Sequence, residues 1–298
     1  MGVRYTNRAI TTEQQIDILK ERGLLIDDVE RAVKALDIIS YFRLAGYWRH
    51  FEADHTTHQF REGCRFADII DLYSFDKQLR ALLFTAIQTI EVAVRTKIIK
   101  HFALEVGAFW FMDENFATNE ARFATNLAVI RKEVERSHDD FITEHFRKYN
   151  EPELPPVWKT LEVISMGTLS KLYSNFSNAT AKHAVAREFG LNHHKFFRSW
   201  LECLAVLRNC CAHHSRLSNR VFPVKPKMPE RMPNTWIADF SFREQTLYPQ
   251  LCCVVYWLNS IVLENTFITD FKQLLISHPS VKTRLLGFPR NWEQEPLW

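Results

Sequence analysis

The stretch from Arg208 to Arg220, RNCCAHHSRLSNR, concentrates the side chains best able to move protons and hold phosphate. Imidazole titrates near neutrality, so His213 and His214 can give or take a proton at physiological pH. Guanidinium forms paired hydrogen bonds with phosphate, which suits Arg208, Arg216 and Arg220. Between Arg208 and Arg231 six residues are basic and one, Glu230, is acidic, a larger excess than the whole chain's net +3. That balance suits a row of anionic phosphates better than a small neutral substrate. A solvated basic loop accounts for the charge equally well, so charge alone leaves both readings open.

Such side chains act together only if the chain positions them. A helix capped at Asn192 and turning about 100° per residue puts Phe197, Trp200, Leu201, Leu204, Leu207 and Cys211 on one apolar face. Arg198, Glu202, Asn209, His213 and Arg216 then fall roughly opposite, with Asn209 and His213 one turn apart. Arg208 and His213 are separated by ~140° and ~7.5 Å on a regular helix. Two protomers, or a break in the helix near Ala212, would bring them together.

The rest of the chain reads as helix nearly throughout. Thr12 and Gln15 predict a capping box for a helix through Arg22, stopped by Gly23. Asp27 and Glu30 repeat the signal for a helix through Ile38, followed by the aromatic segment Tyr41–Trp48 and a polar loop over 51–65. From Phe66 to Val106 apolar residues step by threes and fours through Leu72, Leu79, Leu83, Ile87, Ile90, Val94 and Ile98, predicting one long helix or two consecutive ones. Glu91 and Arg95 on it read as a surface ion pair. A charged helix is expected over 120–149, ended by Pro152, Pro155 and Pro156, then helix over 157–176 and 181–189 with Gly190 as a stop. Pro223, Pro226, Pro229 and Pro233 impose an irregular stretch, and 243–276 closes the chain as helix. No alternating pattern is long enough for a sheet, so the fold class is all-α. The expected organisation is a helical segment over 1–60 packed on a core over 66–276, with a Pro-rich basic insertion at 221–235, in one compact unit.

Composition excludes several functions. The 298 residues hold 8 glycines, none closer together than Gly46 and Gly63, so no glycine-rich loop exists to cradle a nucleotide phosphate. Rossmann dehydrogenases and P-loop NTPases are thereby excluded, and no nucleotide cofactor is expected. None of the 6 cysteines forms a C-x-x-C pair, so they read as buried thiols of a cytoplasmic protein. The 23 Phe, 8 Trp and 8 Tyr fit a large core, with a few free to stack on bases. Gly2 and Thr6 match the myristoylation pattern, but no polybasic stretch supplies a second membrane signal. The longest apolar run, Leu251–Leu258, is too short for a membrane span. His138-Asp139, His193-His194 and His213-His214 could belong to a metal phosphohydrolase, but matching ligands are not evident, and His55 and His58 read as loop residues. No metal is expected.

Arg208-x4-His213, with polar Asn209 after the arginine, resembles the R-x4-6-H motif of HEPN domains, which are all-helical RNases. The whole RNCCAHHSRLSNR stretch closely resembles the motif of bacterial abortive-infection (Abi) proteins of the AbiD/AbiF type. So do LDIISYFRLAGYW (36–48), IIDLYSFDKQLRALLFTAIQTIEVAVRTKI (69–98) and LPPVWKTLEVISMGTLSKLY (154–173), in family order over most of the chain. Ser218 departs from the pattern, where an aromatic residue is expected between Leu217 and Asn219.

The resemblance implies a HEPN-like helical bundle and phage defence through RNA, by cleavage or by binding. It makes Arg208 and His213 the catalytic positions, with Asn209 in support and His214 as the runner-up base, in a cleft shared by two protomers. Arg216, Arg220, Lys225 and Lys227 would contact the RNA. The chemistry suits these residue types without a metal. RNA carries its own nucleophile in the 2′-OH. An imidazole can remove that proton or protonate the leaving 5′-oxygen, and a guanidinium can stabilise charge on the phosphorus centre. A protein that only binds RNA, cellular, phage-derived or a structured regulatory RNA, would use the same side chains.

Overall fold

The computed structural model describes residues 2, 4, 6, 8–262 and 264–298. The amino-terminal Gly2–Thr6 pattern falls partly outside them. Twelve α-helices among these residues carry the fold: α1 (Thr12–Glu21), α2 (Val29–Ile39), α3 (Tyr41–Trp48), α4 (Phe66–Val106), α5 (Glu120–Glu135), α6 (Asp140–Lys148), α7 (Val157–Val163), α8 (Met166–Asn175), α9 (Ala179–Glu188), α10 (His194–Ala212), α11 (Leu247–Ile261) and α12 (Phe267–Ser277). The fold is all-α. A two-stranded antiparallel hairpin, β1 (Glu52–Asp54) and β2 (Gln59–Phe60), occupies part of the segment expected to be a loop. Buried Glu52 holds its turn, with His55 Nδ1 at 2.9 Å and His58 Nδ1 at 3.3 Å.

The spine is α4, a single helix of 41 residues and so about 60 Å long. No Gly or Pro interrupts it, and Gly107, at φ +97°, ends it. Every residue of the expected stripe is buried, because α4 is packed by α3, α7, α9, α10, α11 and α12. Ile69, Phe75 and Phe102 continue the same steps of three and four and are buried with it, as are Asp76, Arg80 and Arg95.

Boundaries differ from expectation where local hydrogen bonds compete with the helix. The capping box at α1 uses Thr11 and Gln14, one residue earlier than Thr12 and Gln15. α2 is capped by Asp28 and α10 by His193, again one residue from the expected caps. The helix expected over 120–149 is two, because Ser137 Oγ bonds the Asp139 side chain and pulls the chain out of helical register. The closing helix is also two, α11 and α12, separated by a turn in which Asn265 reaches back to Asn259. Beyond them Leu286, Phe288, Trp292 and Trp298 pack on Tyr248 and Phe271, so residues past 276 complete the core.

Candidate RNA-directed site at the end of α10

α10 presents Phe197, Trp200, Leu201, Leu204, Leu207 and Cys211 to the core, all buried, and leaves Arg198, Glu202 and Asn209 exposed. The helix stops at Ala212. His213 is the C-cap, and His214 takes φ +55°, the left-handed conformation usually given to glycine. The N–H of Ser215 donates to the Cys210 carbonyl (2.8 Å) and that of His214 to the Cys211 carbonyl (3.2 Å). These are the paired bonds of a Schellman motif, and they satisfy carbonyls the helix end would leave open. The break lies where Arg208 and His213 require it if they are to leave helical register. His213 and His214 are both exposed.

A buried polar clamp holds the chain that follows. α10 runs antiparallel to α4, which brings residues 215–218 onto the first third of that helix. Asp76, with no exposed surface, accepts from Leu217 N–H (3.0 Å), Ser218 N–H (2.8 Å) and the Tyr47 hydroxyl (2.9 Å), and is ion-paired with Arg80. Arg80 also donates to the Ser215 carbonyl (3.3 Å). From α3, Arg43 donates to the His214 carbonyl (2.9 Å), and Arg216 reaches back to the Gly46 carbonyl. Burial, then the Asp76 charge, pushes the Tyr47 hydroxyl well above its ordinary range, so it stays protonated and donates. Ser218 is buried, and its hydroxyl lacks a partner among the described residues. A small residue fits there beneath the clamp.

Arg208 meets the same spine one stretch further along. Its Nε lies 3.8 Å from Glu91 Oε2, and its guanidinium sits 5.7 Å from the centre of the Phe84 ring. Glu91 also accepts from Arg95 (2.6 Å), whose other nitrogen donates to the Leu161 carbonyl. The expectation of a surface ion pair is corrected here: Arg95 is buried, and α7 and α10 cover the side of α4 on which the pair lies. Glu91, Asp76, Tyr47 and Arg43 are thus site residues that sequence reasoning missed. The signal was present, since Asp76 and Arg80 fall within the apolar stripe and charges on a core stripe need partners.

The remaining basic residues do not form one face. Arg216 spends its donors on the Gly46 and Asn219 carbonyls, and burial lowers its pKa. Arg220 lies over the Phe222 ring, with Nε buried and unpartnered among the described residues. Lys225 is ion-paired with Glu244. Lys227 bonds through its backbone to Ser199 Oγ (2.9 Å) and Trp200 Nε1 (2.8 Å). The irregular stretch therefore runs back along α10, leaving Lys227 about 20 Å along the axis from His213.

Among the described residues one group has metal-ligating geometry: His183, His193 and His194, whose donor atoms lie within 4.8 Å of one another. Burial lowers His194 to about 4, which keeps it neutral. However, His193 Nδ1 is committed to capping α10 through the Lys195 N–H (3.0 Å), and Lys182 and Arg198 add positive charge beside the group. The cluster lies at the start of α10, a helix length away from His213. His138 is exposed on the connection before α6 and stands outside any such group.

Five of the cysteines are buried and none is bridged; burial pushes the Cys211 thiol up to about 12, so it stays protonated. No helix among the described residues is long and apolar enough to cross a membrane.

Neither a curated protein nor a solved structure matches the chain. A family model, described as Abi-like protein, matches residues 34–219, from within α2 to the turn just past His213 and His214. The matched span takes in α3, α4 and α10, the three helices that build the clamp and carry Arg208, and the chain therefore belongs to the Abi-like protein family, whose members' association with abortive infection supports a role in phage defence.

Proposed function

We propose that this chain defends against phage by acting on RNA as a metal-independent endoribonuclease, with Arg208, Asn209 and His213 as its chemical centre. The observation that carries this reading is the helix end itself. Two exposed imidazoles follow a broken helix, an arginine lies one turn and a half before them, and a buried clamp fixes the backbone that follows them. Preorganisation of this kind is what general acid–base chemistry needs.

In this reading the His213 imidazole takes the proton of the 2′-OH. The 2′-oxygen attacks phosphorus, the bond to the 5′-oxygen breaks, and that oxygen receives a proton from a second imidazole. His213 of a second copy supplies it in a homodimer, with His214 as the alternative. Arg208 neutralises charge building on the phosphoryl oxygens, and Asn209 hydrogen-bonds them. The carboxylate that meets Arg208, Glu91, is engaged by Arg95 and Arg208 and is not free to bind Mg²⁺.

A second reading, RNA binding without cleavage, is favoured by one feature: Arg208 is turned onto Glu91 and Phe84, not held free for a phosphoryl group. Incubation of the purified protein with RNA in excess EDTA separates the two. Cleavage leaving a 2′,3′-cyclic phosphate and a 5′-OH supports the nuclease. Cutting that stops in EDTA or leaves a 5′-phosphate overturns its mechanism, and tight binding without cutting selects the second reading.

A further inference from the structure

Two grooves meet at the Lys225–Glu244 ion pair, which helps to line both. One, of about 700 Å³, runs beside α10 and is balanced in charge: Arg198, Lys225 and Lys227 face Glu202, Glu230 and Glu244. The other, of about 930 Å³, opens beside the turn that follows His213 and His214. Its cations are Arg61, Arg220, Arg243 and Arg284 in addition to Lys225, and its lining includes one carboxylate, Glu244, already taken by Lys225.

The four arginines come from four separate segments. Arg61 follows the β1–β2 hairpin, Arg220 ends the motif turn, Arg243 precedes α11, and Arg284 lies in the carboxy-terminal segment. Arg61, Arg243 and Arg284 are exposed, and none of the four is ion-paired among the described residues. The fold holds them at this convergence by backbone bonds: Asn219 N–H donates to the Leu285 carbonyl, and Phe222 N–H to the Gln245 carbonyl. Gly287, at φ +87°, lets the last segment approach Thr246, where a Cβ would collide with the threonine side chain. His50 at the groove wall registers the field: burial, then the charges of Arg216, Arg61 and Arg284, holds its pKa down to about 4. Like charges gathered without counter-ions repel one another, so an anionic ligand would offset a cost the folded protein carries. The volume far exceeds one phosphate ion, and Phe242 offers a ring on which a base can stack.

We propose that this groove is the channel for a single RNA strand leaving the Arg208/His213 turn, with Arg61, Arg220, Arg243 and Arg284 contacting successive phosphates. This inference rests on the RNA reading above. It moves the strand away from Lys227 and into a surface built largely from residues beyond the span the family model matches.

The test uses the full chain carrying His213→Ala, so that RNA is not consumed. Binding of a fluorescein-labelled single-stranded RNA of twelve nucleotides is followed by anisotropy from 50 to 300 mM salt. Arg61→Ala/Arg243→Ala/Arg284→Ala, checked by circular dichroism and thermal melting, should weaken binding at least tenfold. It should also flatten the salt slope by about two, near 0.7 for each phosphate no longer neutralised. Arg198→Ala/Lys227→Ala in the balanced groove should change binding less than threefold. A parent that binds RNA while the triple variant binds it equally well, with the same slope, overturns the channel and leaves the RNA reading standing. A parent that binds no RNA overturns both. Inorganic tripolyphosphate bound as tightly as the RNA would reassign the groove to a small polyphosphate and overturn the channel.

Discussion

α4 carries two acid–arginine pairs of the same design, Asp76–Arg80 and Glu91–Arg95, each four residues apart and facing α10. Asp76 is wholly buried and meets two backbone N–H groups, a tyrosine hydroxyl and a guanidinium. Glu91 keeps about a sixth of its side chain exposed (16%) and divides its oxygens between one buried arginine and the arginine of the motif. The first pair is closed and fixes backbone. The second has an open end, loosely occupied by Arg208 at 3.8 Å. The difference shows how one helical spacing closes a clamp in one place and leaves a carboxylate oxygen for a distant side chain in another, according to how many partners the carboxylate has already satisfied.

Removing the closed acid should have the largest effect on the fold. Asp76→Ala leaves Arg80 charged and buried beside two stranded N–H groups, and should cost about 3–5 kcal/mol in denaturant unfolding. A loss below about 1 kcal/mol would mean the clamp is not what holds the 213–218 turn. Glu91→Gln should behave differently. It keeps the shape and a hydrogen bond to Arg95 but frees Arg208 for the phosphoryl group, so RNA cleavage should hold or rise, by no more than about fivefold, the modest worth of an ion pair at 3.8 Å, and a clear slowing would show that Glu91 positions Arg208 for the reaction. The sharpest contrast comes from measuring both properties in both variants; equal stability losses would erase the distinction between the pairs. His214→Gly should be smaller and of opposite sign, stabilising by about 1 kcal/mol, because the left-handed position suits glycine. Destabilisation there would show that the His214 side chain makes a contact worth more than its backbone strain. Lys225→Ala should change stability least, by under about 1 kcal/mol, since both partners of that pair are exposed.

These contrasts also mark what the sequence made legible. The all-α class and the apolar face of α10 could be read from periodicity and spacing, because each depends on a local rule repeated over many residues; a break near Ala212 stood only beside a second protomer as one of two ways to bring Arg208 and His213 together. The roles of Asp76 and Glu91 could not be assigned from spacing, which is the same for both pairs; partners 141 residues away in the chain decide the first and residues of α7 and α10 the second. His214 escaped notice as a helix stop because histidine is not the residue that position usually selects. The Pro-rich stretch was correctly irregular, but its direction, back along α10, follows from Trp200 and Ser199 bonding the backbone at Lys227. Charge counted along the chain therefore joined residues that the fold separates, and it overlooked Arg61, Arg243 and Arg284, which lie far apart in sequence and line one groove.

The central claim is that the RNA supplies the nucleophile and His213 moves its proton. An RNA with one mapped cleavage site, synthesised with a single 2′-deoxy nucleotide on the 5′ side of the scissile phosphate, tests it most directly. Binding should be nearly unchanged, because phosphates dominate affinity. Cutting at that phosphate should stop, while the all-ribo strand should be cut about 10²–10⁴ times more slowly by His213→Ala than by the parent. Continued cleavage of the deoxy-substituted strand at the same phosphate, at the parent rate, would contradict the account.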